Sequence, residues 1–296
     1  MKRKYKQLLV LCITIGALFT LSGCSVPTDV NETTGEKEIR LITTETTFSE
    51  VQQTEGWFET FLVYPLSQTI NKLSPSITVP GAIALVTFLV NAIVFAFTFK
   101  STLASQKLQL MQPEINKITE KYKGKTDQTS RMAQAQEQQK LYQKYGINPL
   151  SSIVVQFIQL PIIFSIYHAV QRSEAVQHGT FLGMDLAVSP VNGFTNGNFV
   201  YLILLILVMV FQFASIKLPT YLAERQAKKE AEEQGRRYRP SPNPTAKMMN
   251  YMLIMILGMT FILPSGMGIY WICSSIVQII KALLTQHLTQ KEKAKG

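Results

Sequence analysis

The stretch Met248–Leu284 reads MMNYMLIMILGMTFILPSGMGIYWICSSIVQIIKALL and is strongly apolar over nearly its whole length. A helix that crosses the roughly 30 Å hydrocarbon core of a membrane needs about 20 apolar residues. This stretch is long enough for two such helices, and PSGMG near its middle contains residues that interrupt helices. The sequence therefore predicts two membrane helices joined by a short turn.

Three other runs of the chain are also strongly apolar, namely Val79–Phe99, Ile147–Val170 and Phe199–Leu218. The chain of 296 residues is 47% hydrophobic and carries a formal net charge of +10. A soluble fold would have to bury several such helices beneath very little polar surface, so the composition predicts an all-α integral membrane protein. We place its five spans at residues 79–99, 149–172, 199–218, 248–264 and 267–287.

The N-terminal sequence MKRKYKQLLVLCITIGALFTLSGC has the organisation of an export signal. A basic start is followed by the apolar Leu8–Leu21 and by two small residues, as in a signal peptide. The ending LSGC resembles the lipobox of bacterial lipoproteins, whose cysteine is lipidated after cleavage. We expect residues 1–23 to be a lipoprotein signal peptide and Cys24 to carry a lipid such as palmitate. An uncleaved first span is the alternative.

The segment after Cys24 predicts two further parts on the outer side. Residues 24–55 are polar and acidic without apolar periodicity, which favours a flexible tether. Residues 56–78 are half apolar with aromatics, too short and polar to span, and predict an interfacial helix. Cys12, Cys24 and Cys273 follow no metal-binding or disulfide spacing, so no cofactor is expected beyond the lipid on Cys24.

Basic residues alternate between the segments that join the spans. The Lys and Arg counts are nine in residues 100–148, none in 173–198, eight in 217–247 and four from Lys281 onward. Because basic residues collect in cytoplasmic loops, the pattern predicts a bacterial plasma membrane protein with its N-terminus outside and its C-terminus in the cytoplasm. Arg172, at the end of the second span, is the exception. Residues 219–247 and 288–296 are then a basic cytoplasmic loop and tail, and no nucleic acid is needed to explain them.

Residues 100–148 predict a cytoplasmic helical hairpin. Apolar residues recur in its first half at steps of three and four, as on one face of a helix: Leu108, Met111, Ile115, Ile118 and Tyr122. Pro113 falls within this series, so we expect a kink or a helix start there. KGKTDQTS interrupts the pattern, and RMAQAQEQQKLYQKY favours a second helix. A solvated helix pair that only links two spans is the alternative.

The apolar runs carry amide, hydroxyl and aromatic polar groups but no ionisable group deep inside them. Channels and transporters commonly place ionisable groups at that depth. The polar residues here are Thr87, Asn91, Gln156, Gln159, Gln212, Ser215, Tyr270, Trp271, Ser274, Ser275 and Gln278. Hydrogen bonds between helices explain each of them singly, whereas polar groups on four spans favour a shared hydrophilic cavity.

Several stretches resemble the YidC/Oxa family of membrane protein insertases. They are GWFETFLVYPLSQTI, LQLMQPEINKITEKYKG, NPLSSIVVQFIQLPIIFSIYHAV and KMMNYMLIMILGMTFILPSGMGIYWICSSIVQII, in this order over residues 56–287. The most specific is LPSGMGIYW at residues 263–271, which is similar to the family signature LPAGLxLYW. With its lipobox and without a large outer domain, the chain resembles the short Gram-positive lipoprotein form.

The resemblance implies five transmembrane helices around a hydrophilic groove open to the cytoplasm, in an insertase and chaperone that uses no nucleotide and is not an enzyme. A client's polar tail would enter the groove while its apolar segment passes into lipid. The implied groove residues are Thr87, Asn91, Gln212, Tyr270 and Trp271. The implied client-receiving residues of the hairpin are Leu108, Met111, Ile115 and Ile118. Expected partners are lipids and nascent membrane proteins, including small one- and two-span clients, with the Sec translocon and the ribosome as further candidates.

One position departs from the family pattern. TFLVNAIVFAFTFK in the first span is similar to the family line TIIVRxxxxPLTxK, so that Asn91 stands at the place of an arginine and Ala96 at that of a proline. An asparagine side chain keeps two donors and an acceptor but carries no charge. The sequence therefore predicts a neutral groove with an altered range of clients, or an Asn91 that only bridges helices.

Three other classes of protein are alternatives to an insertase. A specialised assembly chaperone or scaffold that does not insert clients is the main alternative, since loss of the groove arginine would suit it. A permease is less favoured because it commonly needs ionisable residues at the membrane midplane. An intramembrane protease is disfavoured because His168, His178 and His287 all lie outside the span centres.

Overall fold

The computed structural model describes residues 25–31, 34–148, 150–233, 235 and 244–295. The predicted signal peptide and Cys24 lie outside these residues. The chain divides into two compact units. The described residues of the first unit fall within Met1–Leu89, Gln156–Ile206 and Thr260–Trp271, and those of the second fall within Val90–Val155, Leu207–Met259 and Ile272–Gly296.

Helices account for most of the described residues, with two short antiparallel β-hairpins. The elements in chain order are β1 Thr28–Val30, β2 Lys37–Ile39, α1 Phe48–Thr54, a π-helical turn Glu59–Val63, α2 Tyr64–Ile77, α3 Val79–Leu110, α4 Gln112–Lys121, α5 Gln128–Lys144, α6 Leu150–Arg172, α7 Glu174–Gln177, β3 Thr180–Phe181, β4 Met184–Asp185, α8 Pro190–Thr195, α9 Val200–Glu233, α10 Pro244–Ile262 and α11 Ser265–Lys295.

Three helices of the described chain are long and apolar enough to cross a membrane, namely Val79–Gln109 of α3, Val200–Lys229 of α9 and Ser265–Gln290 of α11. Helix α10 adds a shorter apolar stretch, Asn250–Ile262, and α6 is the helix at the second predicted span. Helix α3 continues without a break past residue 99, where the first span was predicted to end. The residues that follow, STLASQKLQL, are mostly good helix formers and sustain it.

Part of the predicted flexible tether is folded in the first unit. Strands β1 and β2 pair antiparallel, and Thr47 caps α1 through a capping box with Glu50. Ile42 is fully buried, and its N–H donates to the carbonyl of Arg172 at 2.7 Å. The prediction of a flexible tether over residues 24–55 is therefore wrong for the described part. The segment is ordered by two buried apolar side chains, Ile42 and Val51, and by contacts distant in sequence, which leave no apolar periodicity.

The turn between α10 and α11 forms where the sequence predicted it. Helix α10 ends at Ile262 and α11 begins at Ser265, whose hydroxyl and N–H both donate to the carbonyl of Val188, at 2.7 and 3.0 Å. A Cβ on Gly266 would lie 3.0 Å from the side chains of Val170 and Val176, so the glycine permits this close approach. Because the hydroxyl of Ser265 is committed to a backbone carbonyl, the turn is structural.

The second unit contains the predicted helical hairpin. Helix α4 begins at Gln112, so the helix start expected at Pro113 is confirmed, and Asp127 caps α5. Glu137 joins the two helices, since its carboxylate lies 2.5 Å from Lys121 Nζ and accepts from the Tyr122 hydroxyl at 2.9 Å. The pKa of Glu137 is lowered, first by the Lys121 hydrogen bond and then by that of Tyr122.

Candidate functional site

Asn91 of α3 is paired with a lysine of α11 within the second unit. Its side chain is 3% exposed, and its Oδ1 accepts a hydrogen bond of 2.9 Å from Lys281 Nζ. The same ammonium lies 5.6 Å from the centre of the Phe95 ring, one helical turn from Asn91. At this distance a ring face attracts a cation. The amide of Asn91, which lies in an apolar run, therefore accepts a hydrogen bond from a lysine ammonium on another helix. We call this contact the Asn91–Lys281 pair.

The Asn91–Lys281 pair carries a full positive charge without a countercharge. None of the ion pairs formed by the described residues involves Lys281. An ammonium group has three donors, and Asn91 Oδ1 is the acceptor that the described residues provide. Lys281 is only half-buried. The pair can therefore bind a further acceptor, and an anion most strongly.

A second polar pair joins α9 and α11. Gln212 Oε1 accepts from the Ser275 hydroxyl at 2.6 Å, and both side chains are buried. Ser215, also buried, donates its hydroxyl to the carbonyl of Gln212 at 2.9 Å. Amide and hydroxyl groups on the two helices thus satisfy one another, as polar groups between membrane helices generally do.

The other predicted groove residues belong to the first unit. Thr87 is fully buried and donates to the carbonyl of Ile83 at 2.7 Å, within its own helix. Tyr270 and Trp271 are 1% and 7% exposed. Asn91 and Gln212, the two predicted groove residues in the second unit, have side-chain partners on another helix. The sequence analysis did not predict these two pairs. The role of all five in client contact stays a prediction.

The predicted client-receiving residues pack inside the hairpin of α4 and α5. Met111 and Ile115 are buried together with Ile147, and the cluster is completed by three partly buried side chains, Leu108, Leu141 and Tyr142. Ile118 is half-buried. The apolar face of α4 thus packs against the second helix of the hairpin and the residues that follow it, so its contact with clients stays a prediction.

Lys281 is the residue of this site that the sequence analysis missed. The lysine was counted with the basic tail, whereas its ammonium lies beside Asn91. The neutral groove stays a prediction. A signal was available, because Ser274, Gln278, Lys281 and Thr285 recur at steps of four, three and four on α11. Such spacing places side chains on one helical face, which would have grouped Lys281 with the polar residues of the span.

A cluster of charged side chains in the first unit was also missed. Arg172, the exception to the charge pattern, is 1% exposed and makes two hydrogen bonds of 2.6 Å to the carboxylate of Glu55. It donates to Glu59 at 2.6 Å and to the carbonyl of Arg40 at 2.8 Å. His168, fully buried, has its Nδ1 2.5 Å from the other oxygen of Glu59. We call Glu55, Glu59, His168 and Arg172 the Arg172 cluster.

Comparison with known proteins decides the family. Residues 70–293 match the family model described as 60Kd inner membrane protein. The chain belongs to the YidC/Oxa family of membrane protein insertases. "Membrane protein insertase YidC 1" of Streptococcus pyogenes serotype M3 (strain ATCC BAA-595 / MGAS315) is 33% identical over 234 residues, which is 79% of this chain and 75% of that protein.

Two further members of the YidC/Oxa family match the chain over more of its length. "Membrane protein insertase YidC" of Enterococcus faecalis (strain ATCC 700802 / V583) is 29% identical over 95% of this chain and 86% of that protein. "Membrane protein insertase YidC 2" of Bacillus anthracis is 29% identical over 94% of this chain and 93% of that protein. The family is not a family of enzymes. Within the described part of the chain, no group of three or more His, Cys, Asp or Glu side chains is placed to hold a metal ion.

Proposed function

We propose that this chain inserts client proteins into the plasma membrane and helps them fold, without hydrolysing a nucleotide. The names of its relatives support the activity. The observation within the molecule that carries the proposal is the set of polar groups on apolar helices, namely the Asn91–Lys281 pair and the Gln212–Ser275 bond.

These groups can lower the barrier that a client's polar tail must cross. Moving an unpaired polar group from water into an apolar medium costs roughly 2–7 kcal/mol of free energy. Amide, hydroxyl and ammonium groups held on membrane helices offer the tail replacement hydrogen bonds. The client's apolar segment can then enter lipid, which contributes about 25 cal/mol for each Å² of apolar surface removed from water. No covalent chemistry is required.

We extend the proposal to the architecture around these groups. Five spans would enclose a hydrophilic groove open to the cytoplasm, with Thr87, Tyr270 and Trp271 as further groove residues. The N-terminus would lie outside, anchored by a lipid on Cys24, and the C-terminus in the cytoplasm. The LSGC motif and the alternation of basic segments support this orientation. The Sec translocon and the ribosome are proposed partners.

Complementation tests the function. The chain is expressed in a strain whose resident insertase can be depleted, and insertion of a small two-span client is followed by protease accessibility. We expect the chain to support growth and client insertion, with an empty vector as the negative control. Clients that can be crosslinked to the chain but remain uninserted would favour the assembly chaperone instead. Ion or solute flux through purified chain in liposomes would favour a permease.

A further inference from the structure

We propose that Lys217 of α9 and Asn250 of α10 bind the phosphate group of an anionic phospholipid. Both residues belong to the second unit, and Lys217 Nζ donates a hydrogen bond of 2.6 Å to Asn250 Oδ1. We call these two residues the Lys217–Asn250 site. Its ligand class is an amphiphile with a phosphodiester headgroup and acyl chains. The site lies outside the groups that carry the proposed function, so each can be tested without the other.

The first support is a cation that the described residues hold but do not neutralise. None of the ion pairs formed by the described residues involves Lys217, and its ammonium lies 5.9 Å from the centre of the Phe213 ring. An ammonium has three donors, and the amide of Asn250 adds two. Lys217 is half-buried and Asn250 is exposed, so a ligand can reach these donors. Lysine is a common binder of phosphate, whose oxygens accept charge-assisted hydrogen bonds.

The second support is the position of the site at the boundary between apolar and polar residues. Lys217 is the first Lys or Arg of α9, after a long apolar run, and Asn250 is the first residue of the apolar stretch Asn250–Ile262. Tyr221, one turn beyond Lys217, and Tyr251 are 59% and 74% exposed. Tyrosine is enriched where a membrane meets water. The site therefore lies at the level that suits the phosphates of lipid headgroups.

The third support is an exposed apolar surface next to the site. Phe213 and Ile254 lie one helical turn from Lys217 and Asn250, toward the apolar run of each helix, and are 55% and 66% exposed. Residues four positions apart share one face of a helix. A phosphate bound to Lys217 would therefore place acyl chains along Phe213 and Ile254. A free phosphate would leave this apolar surface uncovered, so the arrangement favours a lipid.

The experiment measures which lipid lies beside the site in the full chain. Met255→Cys, at a position that is 58% exposed, is labelled with a fluorophore in a Cys273→Ser background, and the chain is placed in nanodiscs of phosphatidylcholine. Phosphatidylglycerol or phosphatidylcholine with a spin label on the acyl chain is then added as quencher. We expect phosphatidylglycerol to quench more strongly. In Lys217→Gln the amount needed for half of the quenching should rise about tenfold, as the loss of one charge-assisted hydrogen bond predicts, whereas Lys217→Arg should keep the preference.

Lys228→Gln is the matched control. It removes the same charge from α9 about three helical turns farther along, where Lys228 is exposed and 4.0 Å from Glu232, and it should keep the preference for phosphatidylglycerol. Asn250→Asp is a second test variant, because its carboxylate would occupy Lys217 and repel a phosphate, so the preference should be lost. Gel filtration ensures that only folded variants are scored.

Three outcomes would overturn the proposal. The first is an unmodified chain that shows no preference for phosphatidylglycerol. The second is an equal loss of preference in Lys217→Gln and Lys228→Gln, which would assign the effect to the general charge of α9. The third is displacement of the labelled lipid by soluble glycerol phosphate, which would assign the site to a free phosphate.

Discussion

The contact between Asn91 Oδ1 and Lys281 Nζ determines how substitutions at residue 91 should act. An apolar side chain would remove the acceptor and leave the ammonium with the Phe95 ring alone. A carboxylate would keep the acceptor and neutralise the charge. A second cation would repel the first. These outcomes differ in both folding and client choice, so the position can be tested by several substitutions.

Asn91→Asp is expected to produce a folded chain in which the link to Lys281 is stronger. The new carboxylate would pair with Lys281 at the distance that the amide oxygen now occupies, and charge-assisted bonds are about twice as strong as neutral ones. The free energy of unfolding in mixed detergent micelles should therefore rise by about 1 kcal/mol relative to the unmodified chain. Asn250→Asp is the control, because Asn250 Oδ1 accepts from Lys217 at 2.6 Å but is exposed, where an ion pair contributes little. A gain in stability that is as large in Asn250→Asp as in Asn91→Asp would contradict this account.

Lys281 also shows where sequence reasoning stops at the scale of a residue. Counting basic residues by segment assigned it correctly to the last helix but treated it as part of the cytoplasmic tail. Whether its ammonium reaches Asn91 depends on how α3 and α11 pack, which no periodicity in either helix encodes. The polar character of Asn91 and Gln212 was readable from the sequence, whereas their partners were not.

Among the elements, α6 is tied to the N-terminal segment by the Arg172 cluster. Arg172 is the last residue of α6, and its guanidinium donates to the carboxylates of Glu55 and Glu59, which precede α2 in the chain. It also accepts through its own carbonyl from Ile42, beside the Ile42–Ser173 bridge. Beyond the capping box of Thr47 and Glu50, little in the local sequence marks residues 34–54 as ordered, because Ile42 and Glu55 are held by a residue more than a hundred positions away. This long separation is why the tether was predicted wrongly.

Arg172→Met should destabilise the first unit by about 3–5 kcal/mol, the usual loss when one partner of a buried ion pair is removed. The buried carboxylates of Glu55 and Glu59 would then keep only their other partners, Arg40 at 3.5 Å from Glu55 and His168 at 2.5 Å from Glu59. The free energy of unfolding in mixed detergent micelles measures the effect. Asp29→Asn is the control, since Asp29 is exposed and pairs with Arg40 at the surface, where a pair contributes about 0–1 kcal/mol. Equal losses for the two variants would contradict the importance of burial.

The hairpin of α4 and α5 is expected to loosen in acid. Its link through Glu137 has a carboxylate pKa that is lowered, chiefly by the Lys121 hydrogen bond. Because the pKa of Glu137 is lowered in the folded hairpin, its stabilisation of the hairpin is complete above the unfolded-state pKa of about 4.3. This stabilisation is lost as the pH falls through the folded-state pKa. The same hydrogen bond raises the pKa of Lys121. The stabilisation that the protonated lysine gives the hairpin is therefore lost only in strong alkali.

Spin labels at Thr119 and Ala135, both exposed and on opposite helices, measure the opening in the full chain. The distance distribution should be narrow at pH 7 and broaden below about pH 4, where the unfolded-state carboxyl takes up its proton. Glu137→Gln removes the titrating group and should give a distribution that does not change over this range. Broadening that is the same in Glu137→Gln would assign the acid effect to other carboxyl groups.

At the scale of the whole molecule, the sequence predicts the features that depend on long residue patterns. It does not predict which side chains pair with one another. Apolar runs, the hairpin and the turn at Ser265 all appear as helices or helix ends near the expected residues. Family membership followed from extended stretches that the comparisons confirm. The five-span groove depends on how whole helices pack, and therefore stays a proposal together with its orientation in the membrane.

The orientation can be tested by labelling single cysteines in intact cells. In a Cys273→Ser background, Leu182→Cys places a thiol on the segment without Lys or Arg, at a site that is 70% exposed. Met132→Cys places one in the hairpin, at a site that is 54% exposed. Because basic segments stay in the cytoplasm, a membrane-impermeant maleimide should label the first in intact cells and the second only after permeabilisation. The parent Cys273→Ser chain supplies the background, including any thiol of an unlipidated Cys24. Labelling of Met132→Cys from outside would reverse the orientation, and the polar tail of a client would then have to reach the Asn91–Lys281 pair from the opposite side of the membrane.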